Sequence, residues 1–363
     1  MLKRYRSVSG RDSNGYQYRY VYDWEQDTCK GCTSFDFVQI PPSSLERIWV
    51  RKTASCLGLT IMIYYLLSSL LPLCFGSLFS RLFTALLPVI GYSPALMSLV
   101  GFVFYQLILL ISAVVALLVP TLFYGMAIGI PFSKAFPTRR VSPGLMGLHM
   151  LVGLGLWAFT ALLTFYIAAI FPLPQGGGLF SGLALPAWSP GFGISLVLVV
   201  VLPSLIGVLV FQGVLLQSLR RFGDGLAVLL SAFIYAVIQL DFRQVPALFL
   251  MGIFLGYVVL KSGCIWVAAA LSLMMNLLWA LMQFLPSVFP EAATLLITES
   301  AMILCLLAGL IGLIFLARRD ERIFQLHPSK TCLSSRGKFA IIFSNPAFLA
   351  AMVLTAVLYF YPL

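Results

Sequence analysis

Ionisable side chains are scarce in this chain of 363 residues. Only 10% of the residues are charged, and the chain has 12 acidic residues and two histidines. A soluble domain carries about 25% charged residues, so the composition excludes an ordinary soluble enzyme. The shortage of acids and histidines also leaves few side chains that can act as a general base or bind a metal ion.

Long apolar runs replace the missing charge: 61% of the residues are hydrophobic, and the mean hydropathy is +1.00. Most of these runs reach the ~20 residues that a helix needs to cross the hydrocarbon core. The pattern predicts an all-α polytopic membrane protein with about nine transmembrane helices, eight being possible. The predicted segments are 54–79, 97–130, 144–172, 191–213, 225–240, 244–261, 263–286, 294–317 and 339–361.

Two of these predictions leave an alternative open. The fifth and sixth runs are short, and the alternative for them is one hairpin that does not fully cross the membrane. A further short apolar run, 83–93, is predicted to be interfacial or re-entrant.

The basic residues predict the orientation of the chain. The formal net charge is +11, and the Lys and Arg residues cluster at the ends of the apolar runs. With the N-terminus in the cytoplasm, all of them except Arg81 and Arg243 fall on the cytoplasmic side, as the positive-inside rule requires. Nine spans then place the C-terminus outside. The charge therefore indicates membrane lipid, and not nucleic acid, as a partner.

The residues before the first apolar run form a tail of a different kind. Tyr16, Tyr18, Tyr20, Tyr22 and Trp24 alternate with mostly polar residues, a period of two. An exposed strand or a stripe that binds a partner is one interpretation. Because the tail is short and highly charged, we favour a disordered segment that skirts the membrane.

Two cysteines of the tail, Cys29 and Cys32, form one Cys-Lys-Gly-Cys step. A structural zinc site needs four ligands, usually from two such pairs. Cys332 and His327 bring the number of ligands to four, so a zinc site formed by these residues and the cysteine pair stays an alternative. Our prediction is that the chain holds no metal ion.

The stretch 202–278 carries four motifs in order. Val-Leu-Val-Phe-Gln-Gly begins at Val208, and Phe-Ile-Tyr-Ala-Val-Ile-Gln ends at Gln239. Leu-Met-Gly-Ile-Phe-Leu-Gly-Tyr begins at Leu250, and Ser-Leu-Met-Met-Asn begins at Ser272. This frame resembles the CPBP family, the CAAX-protease and bacteriocin-processing intramembrane proteins also called Abi. The family pattern is Glu-Glu-x-x-Phe-Arg-Gly, Phe-x-x-x-His, Gly-x-x-x-Gly-Tyr and His-x-x-x-Asn.

The resemblance assigns six positions of this chain to the family's functional residues, and most of them hold a different residue. The glutamate pair falls on Gly207 and Val208, the arginine on Gln212, the two histidines on Gln239 and Ser272, and the asparagine on Asn276, which alone is retained. The i, i+4 spacing of 208/212, 235/239 and 272/276 predicts that each pair shares one helix face.

The resemblance also implies a division of the chain. Residues 1–53 are a basic, tyrosine-rich cytoplasmic tail, and 54–200 are N-terminal transmembrane helices. Residues 201–285 form a CPBP-like helical core in the C-terminal half. Residues 286–363 are C-terminal transmembrane helices with a basic cytoplasmic loop, 318–338. The membrane that the family resemblance implies is a prokaryotic plasma membrane.

The replaced residues predict a protein that binds rather than cleaves. In the family, a glutamate is thought to activate water while histidines bind a metal ion or steady an oxyanion, and glycine, valine, glutamine and serine supply no such base. We therefore expect no catalytic residue and no divalent metal at the family site. Gln212, Gln239, Ser272 and Asn276 are instead predicted to hold a membrane protein or peptide, or to bond across helices.

Two other classes of function remain as alternatives. An active intramembrane endopeptidase of the CAAX-processing kind would have to use displaced residues, and Asp241 and His149 are the fallback candidates. A transporter would need ionisable residues at mid-membrane along a substrate path. The motif helices lack such residues, so transport is the least favoured class.

Overall fold

The computed structural model describes residues 6–11, 17–23, 28–33, 42–90, 94–171, 196–319, 326 and 332–360. A three-stranded antiparallel sheet of order β1-β2-β3 precedes a bundle of helices. The strands are β1 Arg6–Arg11, β2 Gln17–Asp23 and β3 Thr28–Thr33. The helices are α1 Pro42–Ile90, α2 Pro94–Ile128, α3 Phe132–Ala135, α4 Pro143–Ile170, α5 197–222, α6 Asp224–Val237, α7 Val245–Ser262, α8 Ile265–Phe284, α9 Glu291–Arg319, α10 Ser335–Phe343 and α11 Pro346–Phe360.

The predicted all-α polytopic fold is confirmed for the bundle, and the described parts of the nine predicted apolar segments fall mainly on its helices. Within the described residues, seven helices are long and apolar enough to cross a membrane, or eight if the bent pair α10 and α11 is one span. The remaining segment is α6, whose 14 residues are about 21 Å long. Such a helix is too short to cross a hydrocarbon core of about 30 Å alone. The predicted number of nine is reached only if α6 is counted as well, and the lower number, eight, only if α10 and α11 form one span.

Two predictions about local structure are wrong. The run 83–93 is not a separate interfacial piece, because α1 continues without a break for 49 residues to Ile90. The tail is not a disordered segment throughout, since Tyr18, Tyr20 and Tyr22 lie in β2, which pairs with β1 and β3. Tyr16 and Trp24 lie outside the described residues. The alternation of tyrosines with polar residues therefore indicated a strand, which was the alternative interpretation.

One end of the bundle collects the helix ends that carry basic residues. The backbone N–H of Arg139 donates to the carbonyl of Gly263 at 3.0 Å, and the N–H of Ile265 donates to the carbonyl of Pro137 at 2.8 Å. These bonds join the loop between α3 and α4 to the turn between α7 and α8. Gly263 has a φ of +64°, which a glycine adopts without steric cost at the end of a helix.

A buried lysine ties three helices together at this basic end. The Nζ of Lys338 in α10 lies 3.0 Å from Oε1 of Glu46 in α1. The same Nζ donates to the carbonyl of Phe222 at 2.7 Å, at the end of α5 where helix carbonyls lack a partner within the helix. The second oxygen of Glu46 accepts from the backbone N–H groups of Cys332 and Leu333, each at 2.8 Å.

Asn345 determines the bend between α10 and α11. The two helices meet at 68°, and Pro346 follows the bend, where a proline cannot continue the preceding helix. The Oδ1 of Asn345 accepts from the N–H groups of Ala347 and Phe348, and its Nδ2 donates to Oγ of Ser55 at 2.9 Å. The side chain thus caps α11 and fixes it against α1.

The opposite end of the bundle holds the end of α11. The hydroxyl of Tyr359 donates to the carbonyl of Val237, at the end of α6, at 3.0 Å. Because α6 begins at the basic end next to Phe222 and α7 returns there, these two helices form a hairpin. The beginning of α1 and the end of α11 therefore lie at opposite ends of the bundle.

The core centres on α5, the most deeply buried of the candidate spans in the described residues. It is not a regular helix, because Val197–Val201 and Leu209–Leu215 are π-helical and Arg220–Phe222 is a 3-10 turn. Helices α2, α6 and α8 pack against it, and α1 contacts it where Nη2 of Arg221 donates to Oγ1 of Thr53 at 2.6 Å. Helix α9 packs mainly on α4, where a Cβ at Gly155 would lie 2.6 Å from Cα of Gly309, so the pair has room only for glycine.

The buried lysine gives a test of this arrangement. Replacing it by the similarly shaped Met (Lys338→Met) leaves the Glu46 carboxylate and the Phe222 carbonyl without their shared donor. We expect the free energy of unfolding to fall by about 3–5 kcal/mol, the usual cost of removing one partner of a buried pair. Thermal unfolding of the purified protein measures it, with Arg336→Met, an exposed position of the same helix, as the control. Equal midpoints for the two variants would contradict the assignment.

Candidate functional site

The six positions assigned from the sequence lie on three parts of the core. Gly207, Val208 and Gln212 lie on α5. Ser272 and Asn276 lie on α8, which packs against α5. Gln239 lies in the turn between α6 and α7. The structure brings some of these residues together and separates others.

Ser204, Ser272 and Asn276 form one hydrogen-bonded group, the serine–asparagine cluster. Nδ2 of Asn276 donates to Oγ of Ser204 at 3.0 Å and to the carbonyl of Ser272 at 2.9 Å, and it lies 3.4 Å from Oγ of Ser272. Ser204 is buried, and its hydroxyl donates to the carbonyl of Val200. The cluster therefore joins α5 to α8 with neutral donors and acceptors.

Ser204 was not among the residues predicted from the sequence. It lies four residues before Val208 and eight before Gln212, so it continues the spacing of the assigned positions along α5. That spacing, together with a polar side chain directly after Pro203 in an apolar run, was the signal that could have found it.

Gln212 lies apart from the cluster. It is buried in the second π-helical segment of α5, and its Nε2 lies 3.5 Å from the carbonyl of Gly252 in α7. A contact at this distance is a weak hydrogen bond. The neighbouring Phe211 meets the ring of Tyr235 at 5.0 Å between centroids, in an edge-to-face arrangement. The position that holds the family's arginine is therefore packed among helices.

The predicted sharing of helix faces is correct for one pair and wrong for another. Asn276 reaches back to Ser272 one turn earlier, as i, i+4 spacing requires. Tyr235 and Gln239 do not share a face of α6, because that helix ends at Val237. The reason is the reversal of the chain into α7, which the apolar sequence does not signal.

The turn between α6 and α7 is tightly held. Leu240 has a φ of +52°, a left-handed conformation that costs a residue with a Cβ about 1–2 kcal/mol. The carboxylate of Asp241 accepts from the backbone N–H of Arg243 at 3.1 Å and from Nε2 of Gln244 at 2.9 Å. The Arg243 guanidinium lies 3.9 Å away. Asp241 thus closes the turn and stabilises the beginning of α7.

His149, the other fallback residue, lies near the beginning of α4. The side chain is 2% exposed, and its Nδ1 is 2.8 Å from the carbonyl of Leu145 one turn earlier. This hydrogen bond orients the imidazole ring of His149 along α4. The structure therefore gives His149 a local partner and does not bring it to the serine–asparagine cluster.

No three His, Cys, Asp or Glu residues lie close enough to hold a metal ion in the part of the chain that the structure describes. Of the two further ligands of the alternative zinc site, Cys332 is described, whereas His327 lies outside the described residues. Cys29 and Cys32 are three residues apart in β3, at positions on opposite faces of the strand.

Glycines set the distance between α6 and α7. A Cβ at Gly252 would lie 2.9 Å from Cα of Ala232, a backbone atom of α6. A Cβ at Gly256 would meet the methyl groups of Val228 at 3.6 Å, an ordinary contact. The first glycine of the Gly-x-x-x-Gly step is therefore required by the packing, and the second is not.

The comparison with protein families matches this region. Residues 189–278 match the family model described as Type II CAAX prenyl endopeptidase Rce1-like. This region of the chain is similar to that family. The match spans about a quarter of the chain and ends at the same residue as the sequence resemblance. The comparisons with curated proteins and with solved structures gave no match.

The matched region thus lies in a polytopic membrane bundle, as the sequence predicted. It contains α5 to α7 and most of α8. Both the serine–asparagine cluster and the Gln212 contact lie inside it. The six positions that the sequence resemblance assigns also lie inside it.

The Gly-x-x-x-Gly step gives a test with an internal control. Gly252→Ala forces α6 and α7 apart, and we expect the free energy of unfolding to fall by about 1–3 kcal/mol, as for other overpacked sites. Gly256→Ala has room for the methyl group, and alanine is up to about 1 kcal/mol better than glycine inside a helix. Thermal unfolding of both variants checks this. A larger loss for Gly256→Ala would contradict the described packing.

Proposed function

We propose that this protein is a catalytically inactive homologue of the CAAX-type intramembrane proteases, which acts by binding a membrane protein or peptide. The observation that carries the proposal is the chemical nature of the side chains at the family positions. None of Gly207, Val208, Gln212, Gln239 and Ser272 is ionisable. Activation of water requires a group that takes up a proton near the working pH, and amides and hydroxyls do not.

The hydrogen bonds of these residues support the proposal. Asn276 donates to Ser204 and Ser272, and the amide of Gln212 points to Gly252. Amide and hydroxyl bonds between membrane helices contribute about 0.6 kcal/mol on average. Bonds of this kind hold helices in place and leave no proton acceptor for hydrolysis.

The fallback residues do not favour a displaced active site. Asp241 is engaged by the backbone of its own turn, and His149 by the carbonyl of Leu145. The buried Glu46 lies at the basic end and is paired with Lys338. An endopeptidase that used these residues would need them in one place, whereas they belong to three different parts of the fold.

A helical core that has the family's arrangement but no catalytic side chains is suited to binding. The helices that in the family surround a substrate are kept, so that a hydrophobic peptide or the helix of a membrane protein is the partner we propose. We further propose that the basic end faces the cytoplasm, because positively charged loops are retained on that side. The end of α11 would then lie outside, and a prokaryotic plasma membrane is the location we propose from the resemblance.

Peptide cleavage tests the proposal. The purified protein in nanodiscs is incubated with a prenylated CAAX-type peptide, with and without a chelator, beside an active member of the family. We expect full turnover by the active member and none by this protein. The restored variant Val208→Glu/Gln239→His/Ser272→His, assayed with metal, tests whether the lost side chains limit the reaction.

Two outcomes would overturn the proposal. Cleavage by the unchanged protein that Gln239→Ala abolishes would show that the family position is active with glutamine. Cleavage that Asp241→Asn or His149→Ala abolishes would show that displaced residues do the chemistry. In either case the protein is an enzyme, and the amides of the core have a role beyond packing.

A further inference from the structure

We propose that the N-terminal sheet lies on the membrane surface, with the face that carries Tyr18, Tyr20 and Tyr22 against the lipid headgroups. The bound partner is the interface of the bilayer in which the bundle sits. The proposal concerns strands β1 to β3 and the beginning of α1, and it does not depend on the function proposed for the core.

The register of the strands separates the sheet into two chemically different faces. Successive positions of a strand alternate between faces, and directly opposed positions of antiparallel strands share a face. Tyr18, Tyr20 and Tyr22 therefore lie on one face of β2, which we call the tyrosine face. Gln17, Arg19, Val21 and Asp23 lie on the other, the polar face.

The neighbouring strands extend this difference. Gly10 and Val8 of β1 pair with Tyr18 and Tyr20, and Gly31 of β3 also pairs with Tyr20. On the polar face the paired positions include Ser7, Ser9, Arg11, Lys30 and Cys32. The tyrosine face is thus aromatic and flanked by small residues, while the polar face carries most of the charge of the strands.

The tyrosine face matches the chemistry of a membrane interface. Tyrosine is enriched where the headgroups meet the hydrocarbon, because its ring is apolar and its hydroxyl can bond to water and lipid. Arg6, the first residue of β1, also lies on this face, and its cationic group suits the phosphate of a headgroup. A small sheet with one such face needs that face covered to be stable in water.

The length of the connection keeps the sheet at the membrane. Eight residues, 34–41, separate the end of β3 from the beginning of α1. A chain of that length spans at most about 29 Å when fully extended. Strand β3 also contacts α1, whose first turns carry Arg47, Arg51 and Lys52. The sheet therefore stays beside the basic end of the bundle, where lipid headgroups surround the first span.

Two native cysteines report on the two faces. Cys29 pairs with Tyr22 and lies on the tyrosine face, and Cys32 pairs with Arg19 and lies on the polar face. In a variant whose other five cysteines are replaced by alanine, single-cysteine versions at these two positions form a matched pair. Both positions belong to one short strand, so global unfolding or loss of the sheet affects them alike.

The experiment measures labelling of the full-length protein by a charged maleimide in nanodiscs. We expect Cys29 to react several-fold more slowly than Cys32, because lipid headgroups cover the tyrosine face. The replacement Tyr18→Ser/Tyr20→Ser/Tyr22→Ser should raise the rate at Cys29 to that at Cys32. A nitroxide attached at Cys29 should report contact with lipid-soluble oxygen, and one at Cys32 contact with a water-soluble relaxation agent.

Three outcomes would overturn the proposal. Equal fast labelling of the two cysteines would place both faces in water. Equal slow labelling would mean that the sheet is enclosed on both sides. Slow labelling of Cys29 that persists after the tyrosine replacements, or in detergent without lipid, would mean that the protein itself covers this face.

Discussion

A polar group inside a bilayer has no water to bond to, so each one in this bundle needs a partner within the protein. Lys338, at the basic end, meets the same need: its side chain is 1% exposed, and its ammonium is shared between the Glu46 carboxylate and the carbonyl of Phe222 at the end of α5. Three helices that are far apart in sequence are fixed by this one group. The capping of α11 by Asn345 and the bond from Tyr359 to Val237 satisfy the same requirement elsewhere.

The requirement accounts for the contacts of the side chains at the positions that the sequence resemblance assigns. In this chain neutral side chains occupy those positions, and Asn276, Ser204 and Ser272 bond to one another across α5 and α8. Neutral pairs of this kind avoid the cost of a buried charge, which is about 2.5–3.5 kcal/mol or more at the bilayer centre.

The sequence was sufficient for the fold class, the frame of the core and most helices, because hydropathy over 18 or more residues reports membrane spans directly. It did not predict the end of α6 before Gln239 or the π-helical segments of α5, since these depend on how neighbouring helices pack. Ser204 was missed because its role exists only when α8 brings Asn276 to it. The strand β2 was signalled by its alternating tyrosines, and the charge of the tail led to the wrong choice between two interpretations.

The most direct test of this account is a double-mutant cycle between Ser204 and Asn276. The free energies of unfolding of Ser204→Ala, Asn276→Ala and the double variant give the coupling of the two side chains independently of their separate costs. The account predicts a favourable coupling of about 0.5–1.7 kcal/mol, the range found for hydrogen bonds between membrane helices. A coupling of zero would contradict the claim that the family position now holds α5 and α8 together.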